Sequence, residues 1–269
     1  MTTANALQHL DRIAGRLARR PCLVCLDYDG TLTPIRPSPA EAVLSPEMRA
    51  AVVALARQCP VAIVTGRQLS DARALASPDL IYAASHGFEL QFPSETAQAH
   101  GPAEAYRAAI ADTAATAEAG AQDIDGVVIE RKPFSTAVHF RQAAAEDMPR
   151  VDRLVADLEA RYPGLRVLHG KKVSEFQPRI DWNKGSAVLL LAERLNVPAD
   201  GVLYIGDDVT DEDAFRAIAG AGIGILVSDT PRATAASYLL NDPDDVRVFL
   251  ERLAAALASA EQGEGAEAE

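Results

Sequence analysis

Asp27 and Asp29 stand at the end of the apolar run Cys22-Leu23-Val24-Cys25-Leu26 and are followed by Gly30 and Thr31. In extended chain, alternate residues face the same way, so the two carboxylates crowd each other. Like charges that close are costly unless one is protonated or a cation lies between them. Hard carboxylate oxygens of this kind suit Mg2+. Gly30 permits a sharp turn directly afterwards. Further polar groups follow along the chain: Thr65 after Val61-Ala-Ile-Val64, Lys184 at the head of an apolar helical pattern, and Asp207-Asp208 after Gly201–Gly206, with Asp211 just beyond. Singly, each has a plain structural explanation, because Asp and Gly are ordinary turn residues and aspartate often caps helices. Their common placement at strand ends or a helix start is different. Ligands of open α/β sheets bind outside the carboxyl ends of the strands.

The elements that must position these groups follow from pattern. Ser45-Pro46 opens a helix with a serine cap and a proline in its first turn. Val61–Val64 is a buried strand, a helix spans 68–76, and 80–85 forms a third strand ending at His86-Gly87. This alternation predicts a parallel sheet with right-handed crossovers and helices on both faces. The rhythm then changes. A helix over 103–119, alternating strands over 126–132 and 135–141, a helix carrying Val151, Leu154, Val155 and Leu158, and short strands over 165–168 and 173–177 make an α+β unit, αββαββ. The parallel theme resumes with a helix (184–195), a strand (201–206), a helix (211–219), a strand (224–227) and a helix (246–258). The expected organisation is therefore a Rossmann-like α/β core, 1–101 with 181–260, interrupted by an inserted cap, 102–180. Residues 261–269 are expected to be a disordered tail.

The sequence of 269 residues has a net charge of −12, which argues against nucleic acid or an anionic membrane as partner. An anionic substrate would need local cations. No apolar run reaches membrane-spanning length, and residues 1–20 pattern as an amphipathic helix, not a signal peptide. A cytoplasmic, monomeric protein is expected. Cys22 and Cys25, on one strand, point to opposite faces. Cys59 has no partner signal.

Asp27-Tyr-Asp-Gly-Thr31, Thr65, Lys184 and Gly206-Asp207-Asp208 resemble the four motifs of the haloacid dehalogenase superfamily, in order. The resemblance implies that Asp27 is a nucleophile forming an aspartyl-phosphate. Asp29 would be the general acid and then the base. Thr65 would hold a phosphoryl oxygen, and Lys184 would hold phosphate and Asp27 together. Asp27, Asp29, Asp207 and Asp208 would hold Mg2+, with Asp211 open as an alternative to Asp208. Relatives that pump ions carry threonine in place of Asp29, so its presence indicates a phosphatase or phosphomutase. The αββαββ insertion is similar to that of sugar phosphatases in the superfamily.

More narrowly, Leu26–Ile35, Ser85–Gly87, Val138–Arg141, Gly170–Glu175 and Tyr204–Phe215 look like the trehalose-6-phosphate phosphatase family. That implies a small-molecule substrate, trehalose 6-phosphate, bound by Gly66, Arg67 and His86 in the core and by Lys132, Arg141, Lys171 and Glu175 in the cap. Phe140 stands where tyrosine is common, and Gln177 where arginine is frequent. Independently of the family, Glu130, Lys132, His139 and Arg141 lie on a hairpin whose same-face positions recur every second residue. The alternatives are a phosphatase of sucrose phosphate, a mannosyl ester or a hexose phosphate, and a catalytically idle phosphosugar sensor. Retention of Asp27, Asp29 and Lys184 argues against the idle domain.

Overall fold

A computed structural model describes residues 4–19, 21–36, 41–76, 80–99, 101–170 and 172–266. It divides into two compact units, 1–98 with 182–269, and 99–181. In chain order the elements are β1 (Ala4–Asn5), α1 (Leu10–Leu17), β2 (Leu23–Leu26), α2 (Pro46–Ala56), β3 (Val61–Val64), α3 (Leu69–Leu75), β4 (Ile81–Ala84), β5 (Glu89–Gln91) and β6 (Gln98–Ala99). Then come α4 (Gly101–Glu104), α5 (Arg107–Ala121), β7 (Val128–Arg131), β8 (Thr136–His139), α6 (Met148–Arg161), β9 (Leu165–Gly170) and β10 (Val173–Pro178). The chain closes with α7 (Lys184–Arg194), β11 (Val202–Gly206), α8 (Asp211–Ala217), β12 (Ile223–Val227), β13 (Tyr238–Leu240) and α9 (Pro243–Ala266).

The large sheet has the order β1-β13-β12-β11-β2-β3-β4-β5-β6, parallel from β1 to β4. Strands β2, β3, β4, β11 and β12 are buried throughout, as unbroken apolar runs must be when both faces are covered. Val24, Leu26, Val61, Ile63, Leu203 and Ile205 share one cluster with Leu17 of α1, Val52 of α2 and Phe249 of α9. The alternate residues face the other layer, where α7 meets β3 and α8 meets β11. Register aligns the business ends. Leu26 pairs with Ile63 on one side and Ile205 on the other, so β2, β3 and β11 end nearly level. The next backbone bond, Asp27 N to Ile205 O at 2.9 Å, fixes where the first aspartate emerges.

The inserted unit folds around a four-stranded antiparallel sheet, order β7-β8-β10-β9. Ile110, Ala117, Val151, Leu158, Val138 and Phe176 form its own core between α5, α6 and the sheet.

Two differences from expectation have clear causes. The two outermost strands at each side of the large sheet, β1 with β13 and β6 with β5, are two or three residues long. Runs that short carry no readable alternation. The expected disordered tail is helical as far as Ala266, with 267–269 outside the described residues. Alanine, glutamate and glutamine are strong helix formers, and each glycine costs only about 1 kcal/mol against them.

Candidate active site

Four elements deliver the central residues. Asp27 follows β2, Thr65 follows β3, Asp207 follows β11, and Lys184 opens α7, whose N-cap Asn183 accepts from Ser186 N. Lys184 is buried and donates to Asp27 Oδ1 at 2.8 Å and to Asp211 Oδ1 at 2.7 Å. Burial opposes its charge, but the two carboxylates outweigh burial and push its pKa up. Asp27 is held well above the usual carboxylate range by burial and by Asp211, with Lys184 opposing. Asp207 is raised to about 6 by burial and the same neighbour.

Asp211 has no solvent exposure and ties the site together. Its Oδ1 accepts from Lys184 and from Tyr204 Oη at 2.6 Å, and its Oδ2 accepts from Asp207 N at 2.9 Å and Asp208 N at 2.8 Å. A carboxylate offers about four lone-pair sites, so Asp211 is fully engaged. Tyr204 also packs edge-on against Phe215, centroids 5.6 Å apart. Tyr204→Phe is expected to keep that packing and leave Asp211 one bond short. Urea denaturation is expected to read a loss of about 1.5–3 kcal/mol, the value of a hydrogen bond to a charged group. An unchanged midpoint would remove Tyr204 from this network.

Oxygens of Asp27, Asp207 and Asp211 lie within 4.8 Å of one another. Three carboxylates against one ammonium leave two negative charges in excess, which a divalent cation would match. The donors are hard oxygens, as Mg2+ requires. With Asp211 occupied by its four donors, Asp27 and Asp207 are the residues fitted to hold the ion. Asp207 is oriented by Thr31, whose hydroxyl donates to its Oδ1 at 3.1 Å. Gly30 is forced here twice over: its φ is +85°, and a Cβ would lie 2.1 Å from Asp207 Oδ2.

Of the expected metal ligands, Asp27 and Asp207 fall in this side-chain group, with Asp211 as its third member; Asp29 and Asp208 lie outside it. Arg67 grips the Asp29 carboxylate with two bonds, 2.7 Å to Oδ2 and 2.5 Å to Oδ1, while stacking 5.0 Å over the Tyr28 ring. Asp208 is exposed, its backbone amide held by Asp211.

Because Asp207 is raised from the ordinary carboxylate value to about 6, its ionisation costs the metal-free fold stability as pH climbs through that interval. Mg2+ is therefore expected to raise the thermal midpoint most above pH 6 and less near pH 5. At a hundredfold excess over Kd the gain should be roughly 5–10 °C. Equal gains at pH 5 and pH 7 in calorimetry would count against a carboxylate-held ion.

Thr65 is buried, and its Oγ1 accepts from Arg67 N at 3.2 Å. The turn is laced to the end of β4 through Ser85 N to Arg67 O, 2.7 Å, and His86 N to Thr65 O, 2.9 Å. A Cβ at Gly66 would sit 2.7 Å from the His86 ring. Ser85 and His86 both have left-handed backbone, φ +50° and +57°, a strain that collects at functional loops.

Within the inserted unit, Lys132 Nζ lies 3.2 Å from Glu175 Oε1 and 3.6 Å from Glu130 Oε2. Ser135 donates to Glu175 at 2.5 Å, and His139 Nε2 meets Glu130 at 2.8 Å. Arg141 follows β8 by two residues, and Lys171 lies outside the described residues. The sequence reading missed Tyr204, Ser135 and the Asp29–Arg67 pair. Tyr204 looked like one more apolar strand residue, and neither of the others has a short-range signature.

A parallel sheet with an inserted α+β unit, and a lysine-bridged carboxylate cluster at its strand ends, define a phosphohydrolase of the haloacid dehalogenase type. Comparison with known proteins narrows this. The sequence model described as Trehalose-phosphatase matches residues 25–244. The chain is 38% identical to trehalose 6-phosphate phosphatase RA3 of Zea mays, over 93% of this chain and 74% of that protein. It is 39% identical to a trehalose-phosphate phosphatase of Mycobacterium bovis, over 95% of this chain and 67% of that one. Among solved structures, the C-terminal domain of the C. albicans trehalose-6-phosphate phosphatase superposes with a TM-score of 0.74 at 22% identity, over 94% of this chain and 98% of that one. The chain belongs to the trehalose-phosphatase family. Among the described residues no helix is long and apolar enough to cross a membrane.

Proposed function

We propose that this protein hydrolyses trehalose 6-phosphate to trehalose and phosphate, with Asp27 as the attacking group and Mg2+ as cofactor. The observation that carries the reading is the buried bridge from Lys184 to Asp27, 2.8 Å long, beside Asp207. Phosphoryl transfer depends on positioning and charge neutralisation. A bound Mg2+, held by Asp27 and Asp207, would neutralise charge on the phosphoryl oxygens.

In the first step an Asp27 oxygen bonds to phosphorus, and the bond from phosphorus to the sugar oxygen breaks. Asp29 gives that oxygen its proton. For Asp29 to face the leaving group, its two bonds to Arg67 must open. In the second step Asp29 takes a proton from water, whose oxygen bonds to phosphorus as the Asp27–phosphorus bond breaks. Lys184 keeps its positive charge beside Asp27 through both steps, and Thr65 donates to a phosphoryl oxygen.

Recognition of the disaccharide we assign to Lys132, Arg141, Lys171 and Glu175 of the inserted unit. Glu175→Gln keeps the shape but weakens the pairing with Lys132 and the bond from Ser135. KM for trehalose 6-phosphate is expected to rise about tenfold with kcat little changed, the sign of lost uniform binding. A fall in kcat alone would argue against a sugar-holding role. The test of the whole reading is phosphate release from trehalose 6-phosphate, glucose 6-phosphate and sucrose phosphate, with Mg2+ and with chelator. Clear preference for another sugar phosphate would reject the substrate, and full activity in chelator would reject the cofactor.

A further inference from the structure

Cys22 and Cys59 lie just before β2 and β3, at the ends of those strands away from Asp27 and Thr65. The two strands pair in parallel with Val24 opposite Val61, and Val24 N donates to Pro60 O at 3.0 Å. That bond brings the residues just before the two strands to the same end of the sheet: Cys22 precedes β2, and Cys59 closes the turn after α2, its amide donating to Leu55 O at 3.1 Å. Both side chains belong to the same buried cluster, on the face of β2 that carries Val24 and Leu26, whereas Cys25 lies outside it. Both also line a cavity of about 290 Å³, together with Leu17, Pro21, Leu195 and Leu257. Accordingly Cys22 is 8% and Cys59 7% exposed, while Cys25 has no exposure.

The pair is chemically asymmetric. The Cys59 thiol donates to Leu55 O at 3.9 Å; its interaction with Cys22 outweighs burial and draws the Cys22 pKa below the ordinary thiol value, while Cys59 is pushed up by Cys22 and by burial. The thiolate is the attacking form of a cysteine, and the asymmetry places it on Cys22. Burial with no partner pushes Cys25 up as well, away from reactivity.

We propose that Cys22 and Cys59 are a reversible dithiol–disulfide site whose substrate class is the low-molecular-weight disulfides. The Cys22 thiolate bonds to one sulfur of R–S–S–R, breaking that disulfide and releasing RS⁻, which takes up a proton. Cys59 then gives up its proton, and its sulfur bonds to Cys22 sulfur, breaking the mixed disulfide and releasing a second RSH. Two electrons pass from the two protein thiols to one R–S–S–R, giving one protein disulfide and two RSH. A disulfide closed there borders the cavity that both cysteines line, so small thiols can reach and reduce it.

The test treats the folded, full-length protein with oxidised glutathione, then counts thiols after denaturation. Two of the three thiols are expected to disappear, with a mass about 2 Da lower, the loss of two hydrogens. A digest should join the Cys22 and Cys59 peptides, and dithiothreitol should restore all three thiols. Cys59→Ser should trap a glutathione adduct on Cys22, and Cys22→Ser should react at least about tenfold more slowly at Cys59. Three surviving thiols, consumption of Cys25, or a lasting adduct without a cross-link in the unsubstituted protein would each overturn the proposal. Should a serine variant fail to fold, the peptide map of the unsubstituted protein still decides.

Discussion

Asp27→Asn is expected to lower phosphate release from trehalose 6-phosphate by about 10⁴-fold or more, the scale seen when a covalent nucleophile is removed. The substitution is close to isosteric, and its amide oxygen can still accept from Lys184, so the buried bridge keeps its geometry. What it removes is the negative charge and the lone pair that bonds to phosphorus, because an amide is a poor nucleophile. Stability should move the other way. In the metal-free protein the Asp27 carboxylate is disfavoured by burial and by Asp211 and Asp207. Replacing it with a neutral group should therefore leave the thermal midpoint unchanged or raise it. Lost turnover in a protein at least as stable would separate chemistry from folding. Activity within about tenfold of the unsubstituted enzyme would mean that water, not Asp27, attacks phosphorus.

Much of this site could be read along the chain because the fold writes it there. A parallel sheet buried on both faces forces unbroken apolar runs such as Leu23–Leu26 and Val202–Gly206. The first polar residue after each run therefore marks the strand's carboxyl end. Asp27, Thr65 and Asp207 announce themselves in this way, and the level register of β2, β3 and β11 turns three separate positions into one place. Pairings across sequence distance were not readable. Nothing local marks Arg67 as the partner of Asp29, or Cys59 as the neighbour of Cys22, since both relations exist only once strands pair. Asp211 illustrates a third limit. Its residue type fits a metal ligand, and its oxygens do lie with those of Asp27 and Asp207, but the four donors that also meet them, which organise the loop and Lys184, have no signature in the sequence.

The same crowding makes Lys184 the residue whose loss should be felt in both fold and chemistry. Lys184→Met keeps most of the side chain's length and apolar stem but removes the one ammonium between Asp27 and Asp211. Stripping the cation from a buried pair strands uncompensated charge, at a cost of about 3–5 kcal/mol. Turnover should fall by about 10²–10³-fold, the usual effect of deleting an electrostatic stabiliser aimed at developing charge. A single variant confounds the two losses, so the decisive comparison adds Asp211→Asn. With both substitutions one stranded carboxylate is gone, and the amide oxygen at 211 can accept from Tyr204 only by turning its NH2 toward Asp207 N and Asp208 N, a cost that Asp211→Asn alone also carries. Measured by denaturation against the summed losses of the two single variants, the double variant should be more stable by a coupling of about 0.5–3 kcal/mol. Turnover should not recover, because the ammonium that faces Asp27 and the phosphoryl group is still missing. If turnover returned along with stability, Lys184 would be a structural counter-ion only, and charge neutralisation during transfer would have to come from another group.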